Sequence, residues 1–404
     1  MHQPTITASI LSGIRVARIS TVSFFLATQL KQQVEYLEKV GMDVVLISSP
    51  GDEIRQLRLS HRLRYLPIDI PRDISLLRDL FALMRLYRTF RLEKFSITHS
   101  TTPKAGLLTA IAAFFARVPV RIHTFTGQPW VTKTGFTRLI TKFCDKIIGK
   151  MSTQCYADSH SQVEFLVTEK IVSRKKIAVV ANGSLAGVDL ERFSPDRFSE
   201  QERSALVQSL NIEPDSTILL FVGRICRDKG INELLAAFRD IVSRGYKADL
   251  LLVGPLDSEC GGGSEPQFVD PRTIARVHLL GYTDCPERYM AIADIHCLPS
   301  YREGFGTVVI EAAAMGVPTV GSYIPGLVDA IADGVSGLLV KPRDAEDFGR
   351  KLMDLLDHRE VLQELSQGAL HRVRRSFDAN LVNTSLVDEY LRLYEMSGNG
   401  SVKQ

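Results

Sequence analysis

The sequence predicts an α/β protein built from two doubly wound, parallel-sheet domains, and three observations carry that expectation. Short β-rich runs alternate with helical patterns along nearly the whole chain, as βαβ units and parallel sheets require. At 404 residues the chain is too long for one ordinary core and suits two. Its composition is globular, with 45% hydrophobic and 24% charged residues, 28 Gly and 17 Pro, which excludes collagen-like, coiled-coil and disordered chains.

In the first half the strand candidates are 15–21, 43–49, 64–70, 96–101, 120–126, 154–159 and 177–180. Helical stretches at 27–40, 75–92, 104–116, 134–150 and 160–169 lie between them and would cover both faces of one sheet. The turn-rich segment from Asn182-Gly183-Ser184 through Gly187-Val188-Asp189 to Phe193-Ser194-Pro195 then reads as a linker. Beyond it, strands at 217–223, 248–254, 277–280, 295–299, 318–321 and 337–340 repeat the architecture, and Cys260-Gly261-Gly262-Gly263-Ser264 reads as a mobile loop. The expected division is a first domain at 1–190, a second at 191–376 and a tail at 377–404, helical over 380–396. Ligands of open parallel sheets sit beyond the C-terminal strand ends, so two such domains are expected to face each other across a cleft that holds the function.

Several classes drop out early. Cys144, Cys155, Cys226, Cys260, Cys285 and Cys297 show no C-x-x-C spacing, which argues against a disulfide scaffold or a zinc site and suits a reducing compartment. No apolar run approaches the ~18 residues of a bilayer span. The start, with His2, Thr5, Thr7 and Ser12, lacks the basic and apolar regions of a signal peptide, so a cytoplasmic location is expected.

The net charge of +3 hides an asymmetry: residues 1–190 hold 26 Lys and Arg against 14 Asp and Glu, the remainder 23 against 32. The surplus is concentrated in a helix carrying Arg72, Arg78, Arg85, Arg88, Arg91 and Lys94 among Leu76, Leu77, Leu80, Phe81, Leu83, Met84, Leu86 and Phe90, and in a second run of Lys133, Arg138, Lys142, Lys146 and Lys150. A basic amphipathic helix suits an anionic membrane surface. A helix packed on the sheet with a solvated basic face would read the same. Nucleic acid is the weaker partner, since Trp130 is the one tryptophan and no aromatic-basic motif emerges.

Two loops of the second half carry chemistry. In Glu303-Gly304-Phe305-Gly306-Thr307 two glycines let backbone approach a ligand, and the helix start favours an anion such as phosphate. Glu311, one to two turns on, would accept ribose hydroxyls, and Glu303 sugar hydroxyls. The string Gly223-Arg224-Ile225-Cys226-Arg227-Asp228-Lys229-Gly230 places Arg224 and Lys229 at a strand end, where a guanidinium and an ammonium would neutralise a diphosphate. It matches neither G-x-G-x-x-G nor the P-loop, so dehydrogenase and NTPase readings lose their signatures. No D-x-D occurs, which removes the usual cue for a metal holding the diphosphate. On these residues alone, exposed charged loops remain the alternative.

Taken together, Glu303 with Glu311, the Gly223 to Gly230 loop, the Gly187-Val188-Asp189 to Phe193 linker and Pro318-Thr319-Val320 to Gly326 resemble glycosyltransferase family 4. In the first half Ile19-Ser20-Thr21-Val22, His123-Thr124-Phe125-Thr126-Gly127-Gln128 and Ala157-Asp158-Ser159 are similar to the branch that builds bacterial capsule, O-antigen or lipid-linked oligosaccharides. The resemblance implies a GT-B fold and a retaining transfer from a nucleotide diphosphate sugar, commonly a UDP-sugar; with no D-x-D in the chain, transfer without a metal or other cofactor is expected. Arg224 and Lys229 would hold the diphosphate, Glu311 the ribose, and Glu303 with the backbone of Gly304, Phe305, Gly306 and Thr307 the sugar and phosphates. Gly281 and Tyr282 fall where main-chain atoms hold the base, and His123 matches a histidine near the reacting sugar, although a lone histidine is more often structural. Relatives also imply that the C-terminal helix packs back on the first domain.

One departure stands out. Many relatives carry a glycine pair after the first strand, where this chain reads Ser20-Thr21-Val22-Ser23-Phe24-Phe25. Phe24, Phe25 and Leu26 would there meet either lipid or core. With Arg78, Arg85, Arg88 and Lys142 they are the candidates for membrane and acceptor contact, the acceptor being a polyprenyl-linked glycan met at the inner face of the cytoplasmic membrane. Two alternatives stay open: a soluble enzyme of the same fold acting on a small molecule or storage polymer, and a non-catalytic sugar-nucleotide-binding subunit.

Overall fold

The structure, a computed structural model, describes residues 11, 13–54, 63–73, 75–256 and 271–399; the glycine-rich patch at 260–264 and the first ten residues lie outside the described residues. The chain divides into two compact units, Met1–Gly187 with Ala379–Gln404, and Val188–Asp378.

The first unit is built on a seven-stranded sheet of order β3-β2-β1-β4-β5-β6-β7. Its strands are β1 (Arg15–Ile19), β2 (Asp43–Ser48), β3 (Arg64–Pro67), β4 (Ile97–Ser100), β5 (Val120–Phe125), β6 (Gln154–Ala157) and β7 (Ile177–Ala178), every neighbouring pair parallel. The helices between are α1 (Ser23–Ala27), α2 (Lys31–Lys39), α3 (Leu76–Glu93), α4 (Pro103–Phe115), α5 (Gly135–Met151) and α6 (His160–Thr168). The expected helix at 27–40 is α2, and a separate short helix, α1, precedes it. The Thr28 hydroxyl donates back to the Phe24 carbonyl at 2.8 Å and the Leu30 N–H to Phe25, closing α1 before Lys31 starts α2.

The second unit is built on a six-stranded sheet of order β10-β9-β8-β11-β12-β13. Its strands are β8 (Thr217–Val222), β9 (Ala248–Val253), β10 (Val277–Gly281), β11 (Ile295–Leu298), β12 (Thr319–Ser322) and β13 (Gly337–Val340), again all parallel. Residues 218–222 of β8 and 250–253 of β9 read as unbroken apolar runs rather than alternating ones, as the interior strands of a doubly covered sheet do. Around them lie α7 (Glu200–Ser209), α8 (Ile231–Ser243), α9 (Pro271–Ile274), α10 (Glu287–Met290), α11 (Thr307–Ala314), α12 (Leu327–Ala330), α13 (Ala345–Asp357) and α14 (Arg359–Ser376). A capping box of Ser199 and Glu202 starts α7, and α8 buries Leu234, Ala237, Phe238 and Ile241 at helical spacing.

The last helix, α15 (Ala379–Tyr394), belongs to the first unit. It seats Leu386, Val387, Tyr390 and Leu393 in one cluster with Val34 and Leu37 of α2. Fully buried Arg18 donates to the Tyr390 hydroxyl at 3.3 Å and to Gln33 Oε1 at 2.5 Å, and the same hydroxyl lies 2.6 Å from His99 Nδ1. Burial and the Arg18 charge hold His99 well below the usual imidazole range, so it enters this network neutral.

Both sheets reverse strand order once, between β1 and β4 in the first and between β8 and β11 in the second. Loops diverge there and leave a crevice at the C-terminal strand ends.

Candidate functional site

The second switch point holds both predicted loops, since Gly223–Gly230 follows β8 and Pro299–Gly306 follows β11. They are tied by the Tyr301 N–H donating to the Asp228 carbonyl at 2.9 Å and by Arg302 Nη2 at 3.7 Å from Asp228 Oδ2. Between them Lys229 Nζ sits 2.5 Å from Glu303 Oε1, and Ser300 Oγ donates to the same oxygen at 2.8 Å. The pair is largely shielded from solvent, so its attraction is weakly screened. Arg224, on the same loop, is exposed.

The loop after β11 ends at Gly306, which takes the left-handed conformation, φ +83°, as N-cap of α11. That conformation turns the chain sharply into the helix, whose start is the positive end of the helix dipole, and the Val309 N–H closes the first turn onto the Gly306 carbonyl at 2.8 Å. Gly326 explains the close fit beneath: a Cβ there would lie 2.6 Å from the Gly304 carbonyl oxygen, so any side chain would push the loop away. Phe305 offers backbone alone, because its ring is buried edge-on against Phe377 at 5.2 Å.

Glu311 lies on the second turn of α11, half-buried. Desolvation pushes its carboxyl up to about 7, Arg192 holding it down and Glu287 adding to the rise. Arg192 and Glu287 were not singled out in the sequence. Arg192 stands in the linker string, where Asp189 accepts from the N–H groups of Glu191 and Arg192 at 3.0 Å each and shapes the turn. Its guanidinium grips Glu287 through two hydrogen bonds of 3.1 and 2.8 Å and donates to the Asp284 carbonyl at 2.5 Å. No spacing rule joins residues 95 apart, so sequence gave no signal for this pair.

The base candidates are placed differently from each other. Gly281 ends β10 and its carbonyl is engaged by the Gly254 N–H at 2.8 Å, whereas Tyr282 is exposed.

In the first unit, His123 is buried near the end of β5, its Nδ1 2.9 Å from Ser100 Oγ and its ring edge-on to Phe125 at 4.6 Å. Burial lowers its pKa to about 3, so it is a neutral hydrogen-bonding group and not a proton donor at neutral pH. The loop after β1 is pinned to the start of α4 by the Thr21 N–H donating to Thr102 Oγ1 at 2.8 Å. Phe24 is exposed, Phe25 half-buried and Leu26 wholly buried, so core and surface share that trio.

On α3 the buried positions are Ala82, Leu86 and Phe90, while Leu76, Leu77, Leu80, Phe81 and Met84 face solvent with the cations. Arg78 pairs with Asp69 at 3.2 Å, Arg85 donates to the Pro67 carbonyl at 3.2 Å, and Arg88 is exposed. Lys142 is less available than expected: it pairs with Glu169 and lies 5.2 Å from the Trp130 ring centroid. Among the described residues no helix is long and apolar enough to cross a membrane.

Comparison with known proteins agrees with this architecture. Residues 202–372 match the family described as glycosyl transferases group 1, and 26–183 match the glycosyl transferase 4-like domain. A capsular polysaccharide biosynthesis glycosyltransferase of Staphylococcus aureus is 32% identical, over 89% of this chain and 93% of its own. The UDP-Gal:α-D-GlcNAc-diphosphoundecaprenol α-1,3-galactosyltransferase of Escherichia coli is 27% identical, over 95% and 97%. The fold is shared with Anabaena HepE, solved in complex with UDP, at TM-score 0.74 and 16% identity over 93% of this chain and 99% of that one. With two covered parallel sheets, a loaded switch point and a near full-length relative at this identity, the chain belongs to glycosyltransferase family 4 and is a glycosyltransferase of the GT-B fold.

Proposed function

We propose that this enzyme is a retaining glycosyltransferase that moves a sugar from a nucleotide diphosphate donor, a UDP-sugar, to a polyprenyl-diphosphate-linked glycan in bacterial surface polysaccharide synthesis. The observation that carries the reading is the crevice between β8 and β11, where Lys229, Glu303 and the Gly306-capped start of α11 converge. An ammonium beside unpaired helix N–H groups is a site for a diphosphate, and it is charge that leaves during sugar transfer which such a site stabilises.

In this reading the anomeric C–O bond breaks with its electron pair going to the diphosphate, which Arg224, Lys229 and the α11 amides receive. The acceptor hydroxyl bonds to the anomeric carbon from the same face and gives its proton to the departing phosphate oxygen. Glu303 orients sugar hydroxyls, Glu311 takes the ribose, the main chain at Gly281 and Tyr282 takes the base, and neutral His123 hydrogen-bonds the reacting sugar. With cations and amides supplying the positive charge, no metal is required.

The lipid-linked acceptor is supported by the Escherichia coli relative, a galactosyltransferase named for a diphosphoundecaprenol-linked acceptor. A peripheral position at the cytoplasmic membrane is supported by the exposed apolar residues of α3 among its arginines. The test is a transfer assay with a UDP-sugar panel and a diphosphoundecaprenol-linked acceptor, with and without chelator. Transfer that persists with chelator and needs the lipid-linked acceptor is expected. Turnover with a soluble acceptor alone, or abolished by chelator and restored by manganese, contradicts it.

A further inference from the structure

We infer that Arg192 is a positioning residue for the nucleoside half of the donor: one guanidinium fastens the segment after Tyr282 and supplies the positive field in which Glu311 meets the ribose. The inference rests on the proposed roles of Tyr282 and Glu311. Its geometry stands independently. Arg192 holds both oxygens of Glu287 and, with the same Nη2, the Asp284 carbonyl, so a residue of the 188–193 turn fixes both ends of the stretch 284–287 that follows the exposed Tyr282. Arg197 Nη1 adds a weaker contact to Glu287 at 3.9 Å and donates to the Arg192 carbonyl at 2.7 Å, which steadies the turn.

Glu287 begins α10, and α10 packs on α11, the helix of Glu311. Two acids on packed helices would repel each other in a poorly solvated setting. Arg192 commits its fork to Glu287 and is the cation whose field acts on Glu311. Among the described residues Glu311 makes no ion pair of its own, which leaves its oxygens available to ribose hydroxyls, while Arg192 limits how far burial and Glu287 suppress its ionisation. A lysine would keep the charge and lose the fork.

The experiment is calorimetry of a UDP-sugar across pH 5.5 to 8.5 with wild type, Arg192→Gln, Arg192→Lys, Arg192→Gln/Glu287→Gln and Glu311→Gln. Arg192→Gln is expected to bind about tenfold more weakly, with the midpoint of pH dependence moved upward. Arg192→Lys is expected to keep the midpoint and lose part of the affinity. The double variant removes the uncompensated buried Glu287 charge, so it tests the inference if the single variant folds poorly; its affinity is expected to stay below wild type. Wild-type affinity and midpoint in the folded double variant would overturn the inference, while a loss confined to Glu311→Gln leaves the donor-site reading standing. Unchanged binding in Glu311→Gln overturns that reading itself.

Discussion

Lys229 and Glu303, 74 residues apart in sequence, meet at 2.5 Å where the order of the second sheet reverses. The reversal brings the loops after β8 and β11 side by side, and Ser300 completes the arrangement by donating to the same carboxylate oxygen. The carboxylate therefore holds the ammonium at the mouth of α11, in position before any donor arrives. Preorganisation of this kind costs no reorganisation when charge develops on the leaving group.

Removing the ammonium should cost transition-state stabilisation more than fold. Lys229→Ala is expected to lower kcat/KM about 10- to 150-fold, the equivalent of roughly 1.5 to 3 kcal/mol for a charge-assisted hydrogen bond. Lys229→Arg should recover part of it. Steady-state kinetics with a UDP-sugar check this, and a wild-type rate in Lys229→Ala would remove Lys229 from the diphosphate site.

Glu311 titrates within the working range. Its carboxyl, raised to about 7, must be ionised to accept two ribose hydroxyls, so donor affinity is expected to fall as pH drops below 7 and to level off above it. A UDP-sugar is the right probe, since its diphosphate does not titrate there. The effect on folding has the opposite sign. Between the ordinary carboxylate range and 7 the folded state holds the extra proton, so this group's contribution to stability falls as pH rises through that window. Glu311→Gln is thus expected to bind donor weakly and independently of pH, yet to melt higher than wild type at pH 8.

The alternation of strands and helices was legible because fully covered parallel strands are apolar on both faces over most of their length, as 218–222 of β8 and 250–253 of β9 are, and because turn residues bound them. The two charged loops were legible for a related reason: each follows a strand, and the C-terminal strand ends are where such sheets bind. Pairing was not. Nothing local tells Arg192 that Glu287 is its partner, or Lys142 that Glu169 is, because both contacts are made by the fold. Which face of α3 packs was not legible either. Its apolar residues recur all round the helix, and periodicity cannot say which of them the sheet takes when Ala82, Leu86 and Phe90 suffice.

Among the polar contacts that bind the C-terminal helix to the first unit, the buried ones of Arg18 and His99 meet at a single oxygen, the Tyr390 hydroxyl. Tyr390→Phe keeps the ring and deletes the hydroxyl shared by Arg18 and His99, leaving the buried guanidinium, among the described residues, to Gln33 Oε1 at 2.5 Å. The loss is expected to be about 1 to 3 kcal/mol, the desolvation cost of an unsatisfied buried group. Thr384→Ala deletes the exposed bond from Tyr36 to the same helix and should change stability by about 0.5 kcal/mol or less. Urea unfolding of the two variants compares them, and equal midpoints would mean that the buried network contributes nothing.

Membrane contact makes a prediction that separates apolar insertion from charge. The α3 and α5 helices flank α4, and each starts on the side of the C-terminal strand ends, so their first turns share one rim of the sheet. That rim exposes Leu76, Leu77 and Phe81 on α3 and Phe136, Leu139 and Phe143 on α5, with Phe136 at 74% and Phe143 at 61% of full exposure. Exposed apolar residues together with exposed Arg88, Lys133 and Arg138 are what an interfacial surface needs, because anionic headgroups attract the cations while the rings enter the acyl boundary. Phe136→Glu/Phe143→Glu removes the rings and adds repulsion without touching a buried side chain. Co-sedimentation with phosphatidylglycerol vesicles is expected to drop about tenfold or more, while UDP-sugar affinity stays at the wild-type value. Reversing Arg88 and Arg138 to Glu should weaken binding most at low salt, where Coulomb attraction is least screened. Retention of wild-type binding by both double variants would assign these faces to ordinary solvent-exposed surface and leave the acceptor to be met without membrane contact here.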